Sequence, residues 1–172
     1  MEREAEPVLR KLMTVAQAVA RREALRAEGR RVVFANGCFD ILHGGHVSYL
    51  EDARAAGDFL LVGVNSDASE RALKGAGRPI YRQDERLEIL DALRMVDGLV
   101  LFDEPTCDGL LRALRPDVHA KGTDYTADTI PERETARELR IEVLIAGPPK
   151  ENASRGIIAT VLERYGAAAG GG

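Results

Sequence analysis

Five short runs of consecutive apolar residues punctuate the chain: "RVVFA" at 31–35, "FLLVGV" at 59–64, "GLVLF" at 98–102, "DVHAK" at 117–121 and "EVLIA" at 142–146. They are continuous rather than alternating, the pattern of strands buried on both faces of a parallel sheet. Between them the apolar positions fall at helical spacing. Leu87, Leu90 and Leu93 share one face, and Leu110, Leu111 and Leu114 share another before Pro116 stops that segment. Ile157, Ile158, Val161, Leu162 and Tyr165 make a last stripe. Ahead of the first run, residues Pro7 to Glu28 are rich in Ala, Leu, Arg and Glu and end at Gly29, as a helix does.

Strand and helix patterns therefore alternate, which predicts an α/β fold. The expected architecture is Rossmann-like, a doubly wound parallel sheet of about five strands in a single domain, with an extra N-terminal helix. The boundaries fall as an N-terminal helical segment at 1–29, the main domain at 30–165 and a Gly/Ala tail at 166–172. That tail, "GAAAGGG", has nothing to bury and is expected to be disordered. In a doubly wound sheet, ligands sit beyond the carboxyl ends of the strands.

Composition narrows the function classes. A net charge of −4 argues against a surface dedicated to nucleic acid or anionic lipid, while leaving room for a local basic pocket. Cys38 and Cys107 are too few and too far apart for a disulfide framework. The amino end "MEREAEP" lacks the order of a secretion signal, and "FLLVGV" is too short to span a bilayer. A cytoplasmic protein with neither nucleic-acid nor membrane partners is expected.

Two of the three histidines, His43 and His46, flank Gly44 and Gly45 in "NGCFDILHGGH", between the first strand pattern and the following helix pattern. A helix start carries unpaired N–H groups and partial positive charge. Gly44-Gly45 supplies no capping side chain and lets another molecule approach the backbone closely. Imidazoles on either side add possible N–H donors, so the stretch is expected to cradle phosphate. Other readings compete. The histidines could be structural, or a metal pair completed by Asp40 or Cys38, although a third ligand at zinc-like spacing is missing. A dinucleotide fold lacks its G-x-G-x-x-G. His119, inside an apolar run, is read as a core histidine.

The H-x-G-H within "GCFDILHGGH" resembles the signature of the cytidylyltransferase-like nucleotidyltransferases. From about Lys11 to Tyr165, the runs "FANGCFDILHGGHVSYLEDARAAGD", "GVNSDAS", "LKGAGRPI", "ERLEIL" and "KGTDY" resemble the ADP-heptose synthase branch. The resemblance implies transfer of AMP from ATP to D-glycero-β-D-manno-heptose 1-phosphate, giving ADP-heptose and pyrophosphate for the lipopolysaccharide core. Some members are fused to a sugar kinase, for which this length leaves no room, so a stand-alone adenylyltransferase is expected. The alternatives are a cytidylyltransferase acting on glycerol 3-phosphate or a related polyol phosphate, a non-catalytic nucleotide-binding module, and a metal-dependent hydrolase using the two histidines.

By resemblance, His43, His46 and Lys74 are the catalytic candidates. Asn36, Gly37, Cys38, Phe39, Gly45, Arg86, Lys121, Gly122, Asp124 and Ser154 are the candidates for holding ATP, with Asp124 near the ribose. Asn65, Asp67 and Arg155 are the candidates for the sugar phosphate. Plainer roles stand beside several of these. Lys74 could be a solvated loop lysine, Arg86 an exposed partner of Asp84 or Glu85, and Asp124 a turn-former. Ser154 or Asn152 could cap the last helix. Asp40 could hold magnesium, but fixing its loop is the favoured role. Where the family carries Ser-Thr-Thr, this chain has Ser154-Arg155-Gly156. Magnesium is expected as the triphosphate's partner, needing few protein ligands. Family relatives often dimerise, so a homodimer is expected.

Overall fold

Every residue of the strand Phe59–Asn65 is buried, and it lies second in a five-stranded, wholly parallel sheet. The computed structural model describes residues 9–149 and 154–166. Its strands are β1 (Val32–Gly37), β2 (Phe59–Asn65), β3 (Gly98–Phe102), β4 (Val118–Gly122) and β5 (Glu142–Ala146), in the spatial order β3-β2-β1-β4-β5. The helices are α1 (Val15–Ala27), α2 (Gly44–Ala55), α3 (Asp67–Lys74), α4 (Gln83–Asp91), α5 (Asp108–Leu114), α6 (Arg133–Leu139) and α7 (Ser154–Tyr165).

Two apolar cores explain the uninterrupted strand patterns. Val33, Ala35, Leu60, Val62 and Val64 pack on one side with Leu50 and Ala53 of α2 and Leu87 and Leu90 of α4. Val32, Phe34 and Leu61 pack on the other with Leu25 of α1 and Leu110, Leu111 and Leu114 of α5. Alternate residues of each strand thus face different helices, and neither face is left polar. The Rossmann-like α/β expectation agrees with this arrangement.

The chain builds outward from β1 to β3, then crosses back to lay β4 beside β1. The strand order reverses at that point, so the crevice for a ligand lies between the carboxyl ends of β1 and β4. The pairing of these strands runs from Val33–Val118 to Ala35–Ala120. The Tyr49 hydroxyl, from α2, donates to Ala120 O at 2.8 Å beside that opening.

Two expectations change at the ends of the chain. The first helix begins at Val15 rather than Pro7, because Thr14 and Gln17 form a reciprocal capping box. The residues before it are extended along β3, with Leu99 N donating to Lys11 O and Met13 N to Leu99 O. Residues 1–8, Asn152 and tail residues 167–172 lie outside the described residues. The stripe on α7 is not part of the core: none of its residues is buried, and Val161, Leu162 and Tyr165 are exposed. No helix among the described residues is long and apolar enough to cross a membrane.

Candidate active site

The loop from β1 to α2 is built under conformational tension. Phe39 and Ile41 both occupy the left-handed region, with φ of 54° and 44°, which is unfavourable for a bulky and a β-branched residue. Asp40 between them is buried and holds the loop. Its Oδ2 accepts from Arg78 Nε at 2.7 Å and Ile80 N at 2.8 Å, and its Oδ1 accepts from Tyr81 N at 2.8 Å. Burial pushes its carboxyl pKa up, but these donors outweigh that and hold it below the ordinary value. Both oxygens are thus engaged by protein donors, which fits loop fixation and not a magnesium ligand.

This loop delivers the two histidines to the first turn of α2. His43 is itself the N-cap: its Nδ1 accepts the backbone N–H of Gly45 at 3.1 Å. The N–H of His43 donates in turn to His46 Nδ1 at 3.4 Å. The expectation of a helix start without a capping side chain is therefore corrected, since the imidazole takes the place of Ser or Asp. A nitrogen that accepts carries no proton, so in each ring the hydrogen lies on Nε2. The rings lie 4.0 Å apart, and the ring of buried Phe39 stands 5.5 Å from that of His46. Both histidines are half-buried, neither sealed in the core nor out in solvent. Two half-buried imidazoles at the positive end of a helix, beside a switch-point crevice, suit an oxyanion.

Comparison with known proteins then decides the family. The cytidylyltransferase-like family matches residues 34–160. The chain belongs to that family. It is a nucleotidyltransferase domain, and the H-x-G-H geometry described above lies inside the matched region. It is 47% identical over 143 residues to the bifunctional protein HldE of Pelobacter propionicus, covering 83% of this chain and 29% of that protein. Its identity to HldE of Geobacter sulfurreducens is 48% over the same length and shares. The chain thus spans under a third of the length of these relatives. The crystal structure of the lipopolysaccharide core biosynthesis protein from Thermoplasma volcanium superposes with a TM-score of 0.60 at 28% identity, covering 71% of this chain and 100% of that one.

Other motif residues of this family member are placed unevenly. Gly37 and Cys38 continue β1 into the loop, and Cys38 is buried with its Sγ 4.0 Å from Asn65 Oδ1. Lys74 is exposed at the end of α3, 3.8 Å from Glu70. Gly122 ends β4, and a Cβ there would fall 2.9 Å from Asp124 Oδ1, so glycine lets the exposed Asp124 fold back over the strand end. Ser154 Oγ donates to Asp40 O at 2.7 Å, which ties the start of α7 to the histidine loop. Arg155 follows it, exposed.

Three of the expected contact residues are placed by the fold in ways the sequence did not indicate. The Arg86 guanidinium is engaged by the protein itself. The side chain is fully buried, with Nη1 donating to Cys38 O at 2.5 Å and Asn65 O at 2.8 Å, Nε to Tyr81 O at 3.1 Å and Nη2 to Asp67 Oδ1 at 2.8 Å. It is a strut joining β1, β2 and α4. Its partners are also not Asp84 or Glu85, which pair with Arg82 instead. The Asn65 amide is likewise turned inward, donating to Ser69 Oγ at 3.0 Å. Asp67 lines an open depression of about 620 Å³ with Ser66, Arg71, Arg82, Gln83 and Asp103, none of them from the histidine loop.

Three residues passed over in the sequence prove central. Glu70, fully buried, meets Arg78 at 3.3 Å, Arg86 at 3.4 Å and Lys74 at 3.8 Å. Burial raises its pKa, and the three cations pull against that. Arg78 joins this cluster to Asp40. Glu132, also buried, receives the ammonium of Lys121 at 3.3 Å. Each is one charge in a polar stretch, and only its partners in the fold distinguish it.

Proposed function

We propose that this chain transfers AMP from ATP to a sugar 1-phosphate, D-glycero-β-D-manno-heptose 1-phosphate being the acceptor that the motif resemblance implies. The observation that carries the reading is the pairing of His43 and His46 at the head of α2, beside the β1–β4 crevice. The similarity to the bifunctional HldE proteins and to a lipopolysaccharide core biosynthesis protein supports the sugar branch over others.

In the proposed reaction a phosphate oxygen of the acceptor attacks the α-phosphorus of ATP. An O–P bond forms, the bond from the α-phosphorus to the bridging oxygen breaks, and pyrophosphate leaves with that electron pair. A phosphate monoester has a second pKa near ~6, so the nucleophile is already dianionic at neutral pH and needs no general base. The work left for the protein is positioning and charge stabilisation. His43 and His46 donate to the phosphates at the reacting centre. Lys74, exposed at the carboxyl end of α3, meets the triphosphate from outside. Magnesium accompanies the triphosphate and supplies charge neutralisation. A resident protein cage for it is not needed.

The test is pyrophosphate release from purified protein given ATP, magnesium and heptose 1-phosphate in both anomeric forms. Release that requires the β-anomer and ATP supports the reading. Turnover of CTP with glycerol 3-phosphate, and none with the heptose, would replace it with a cytidylyltransferase. Binding of ATP without turnover of any sugar or polyol phosphate would replace it with a regulatory module.

A further inference from the structure

We propose that His119 is a positioning residue of this site: buried beneath the β1–β4 crevice, it locks the Asn36 side-chain amide so that its N–H donors face the nucleotide's phosphate oxygens. The ligand named here rests on the functional reading above, whereas the lock itself rests on geometry.

Asn36 lies at the carboxyl end of β1 and is half-buried, just past the last β1–β4 pair, Ala35–Ala120. Its Oδ1 has two partners. His119 Nε2, from β4, stands 3.1 Å away, and Lys121 Nζ, two residues further along the same strand, stands 3.3 Å away. Lys121 is pinned from behind by Glu132 Oε2 at 3.3 Å and lies over the Tyr125 ring at 4.9 Å. An amide oxygen only accepts, so His119 must carry its proton on Nε2. Burial holds the His119 pKa down to about 4, so the ring is neutral and that proton is its only one.

Cys107 does not compete for the same oxygen. Its Sγ lies 3.7 Å from His119 Nε2 and 3.3 Å from Glu132 Oε1, and the thiol donates to the carboxylate. A flipped amide would push its NH2 against an imidazole N–H and an ammonium, leaving three donors facing one another. The orientation is therefore set from below. The two donors on Nδ2 are turned away from His119 and Lys121, and they suit a ligand that offers only acceptors.

A different use of the same residues is a metal site, because Cys107, His119 and Glu132 bring possible ligand atoms within 4.8 Å of one another. The hydrogen bonding argues against it. A metal would take the Nε2 lone pair and force the ring proton onto Nδ1, which has no hydrogen-bond partner among the described residues. Metal-bound histidines normally donate from that second nitrogen.

The experiment combines nitrogen NMR of the histidine rings with Mg-ATP calorimetry and steady-state kinetics on four single variants and one double variant. Wild-type His119 should show protonated Nε2 and unprotonated Nδ1. His119→Leu should weaken Mg-ATP binding about tenfold, the loss of one orienting hydrogen bond, and His119→Gln should recover part of it. Asn36→Asp keeps both acceptor contacts and so remains folded, but it turns a carboxylate toward the phosphates; binding should fall by about a hundredfold. In an Asn36→Ala background, His119→Leu should have no further effect on binding. The proposal is overturned by an Nδ1–H tautomer, by unchanged ATP affinity in Asn36→Asp, by additive losses in the double variant, or by stoichiometric zinc held through Cys107 and His119. Wild-type protein that binds no nucleoside triphosphate overturns the functional reading instead, and the tautomer then judges the lock.

Discussion

The backbone N–H of Gly45 donates to Nδ1 of His43 at 3.1 Å, which makes a catalytic candidate also the cap of its own helix. Stability and turnover are therefore coupled at this residue, and substitution can separate them. His43→Ala should lose the cap, about 1 kcal/mol of stability, and also the phosphate donor, roughly 10²–10³ in turnover. His43→Asn keeps an acceptor for Gly45 N and should restore stability without restoring rate. Urea denaturation and pyrophosphate release measure the two effects. A fully active His43→Asn variant would remove His43 from the chemistry.

Arg86→Lys discriminates a strut from a ligand contact. A lysine ammonium cannot reproduce the fork that spans Cys38 O, Asn65 O and Asp67 Oδ1. Burying Glu70 and those carbonyls with fewer donors should cost about 3 kcal/mol, seen as a lowered denaturation midpoint. If Arg86 instead held a phosphate, the variant would keep its midpoint and show only a raised KM for ATP.

The contrast between Arg86 and the histidines shows what a single chain discloses. The strands could be located because burial on both faces forces continuous apolar runs, as at Phe59–Val64. The position of His43 and His46 could be located because a strand, two glycines and a helix are local in sequence. Arg86 could not be understood from its neighbours, since its partners at 38, 65, 67 and 70 meet it only in the fold. The start of α1 was obscured for a related reason. Leu9, Leu12 and Met13 extend the apolar pattern of the helix, but hydrogen bonds to Leu99 hold Lys11 and Met13 extended. Asp40 sat between the two cases: its role as a loop anchor agrees with expectation, while its partners at 78, 80 and 81 needed the structure.

Asp40→Asn tests that anchor. The substitution retains the shape but turns an NH2 either toward Arg78 and Ile80 or toward Tyr81, and removes the charge facing Arg78. A loss of about 3 kcal/mol is expected, as for a buried ion pair broken on one side. Faster amide exchange should follow at Ile80 and Tyr81. Exchange rates equal to wild type would mean that the loop at 75–81 is held by something else.

Lys74→Ala should behave differently from both. The side chain is exposed and its contact with Glu70 is long, at 3.8 Å, so the denaturation midpoint should barely move. If Lys74 meets the triphosphate, the KM for ATP should rise about tenfold, with kcat changed less. An unaltered KM would leave Lys74 as a solvated residue at the end of α3.

Acid stability gives a check that is independent of catalysis. Burial, helped by the charge of Lys121, holds the His119 pKa at about 4 in the folded protein, against an ordinary 6.5. As pH falls below that ordinary value, the unfolded chain takes up a proton on this ring and the folded chain does not. His119 should therefore cost stability across the window from about 6.5 down to about 4, approaching 1.4 kcal/mol per pH unit within it, and nothing more below. Asp40, held below its ordinary value, adds a further loss on acidification beneath about 3.8. Glu70, held above its own, takes up its proton earlier in the folded state and opposes that loss. Urea midpoints of wild type and His119→Leu between about pH 7 and about pH 5 isolate the histidine, because the other groups cancel in the difference. The wild type should lose stability faster than the variant over that range. Parallel curves would mean that the folded ring takes up its proton over the same range as the unfolded one, and burial would then not be holding it neutral beside Lys121.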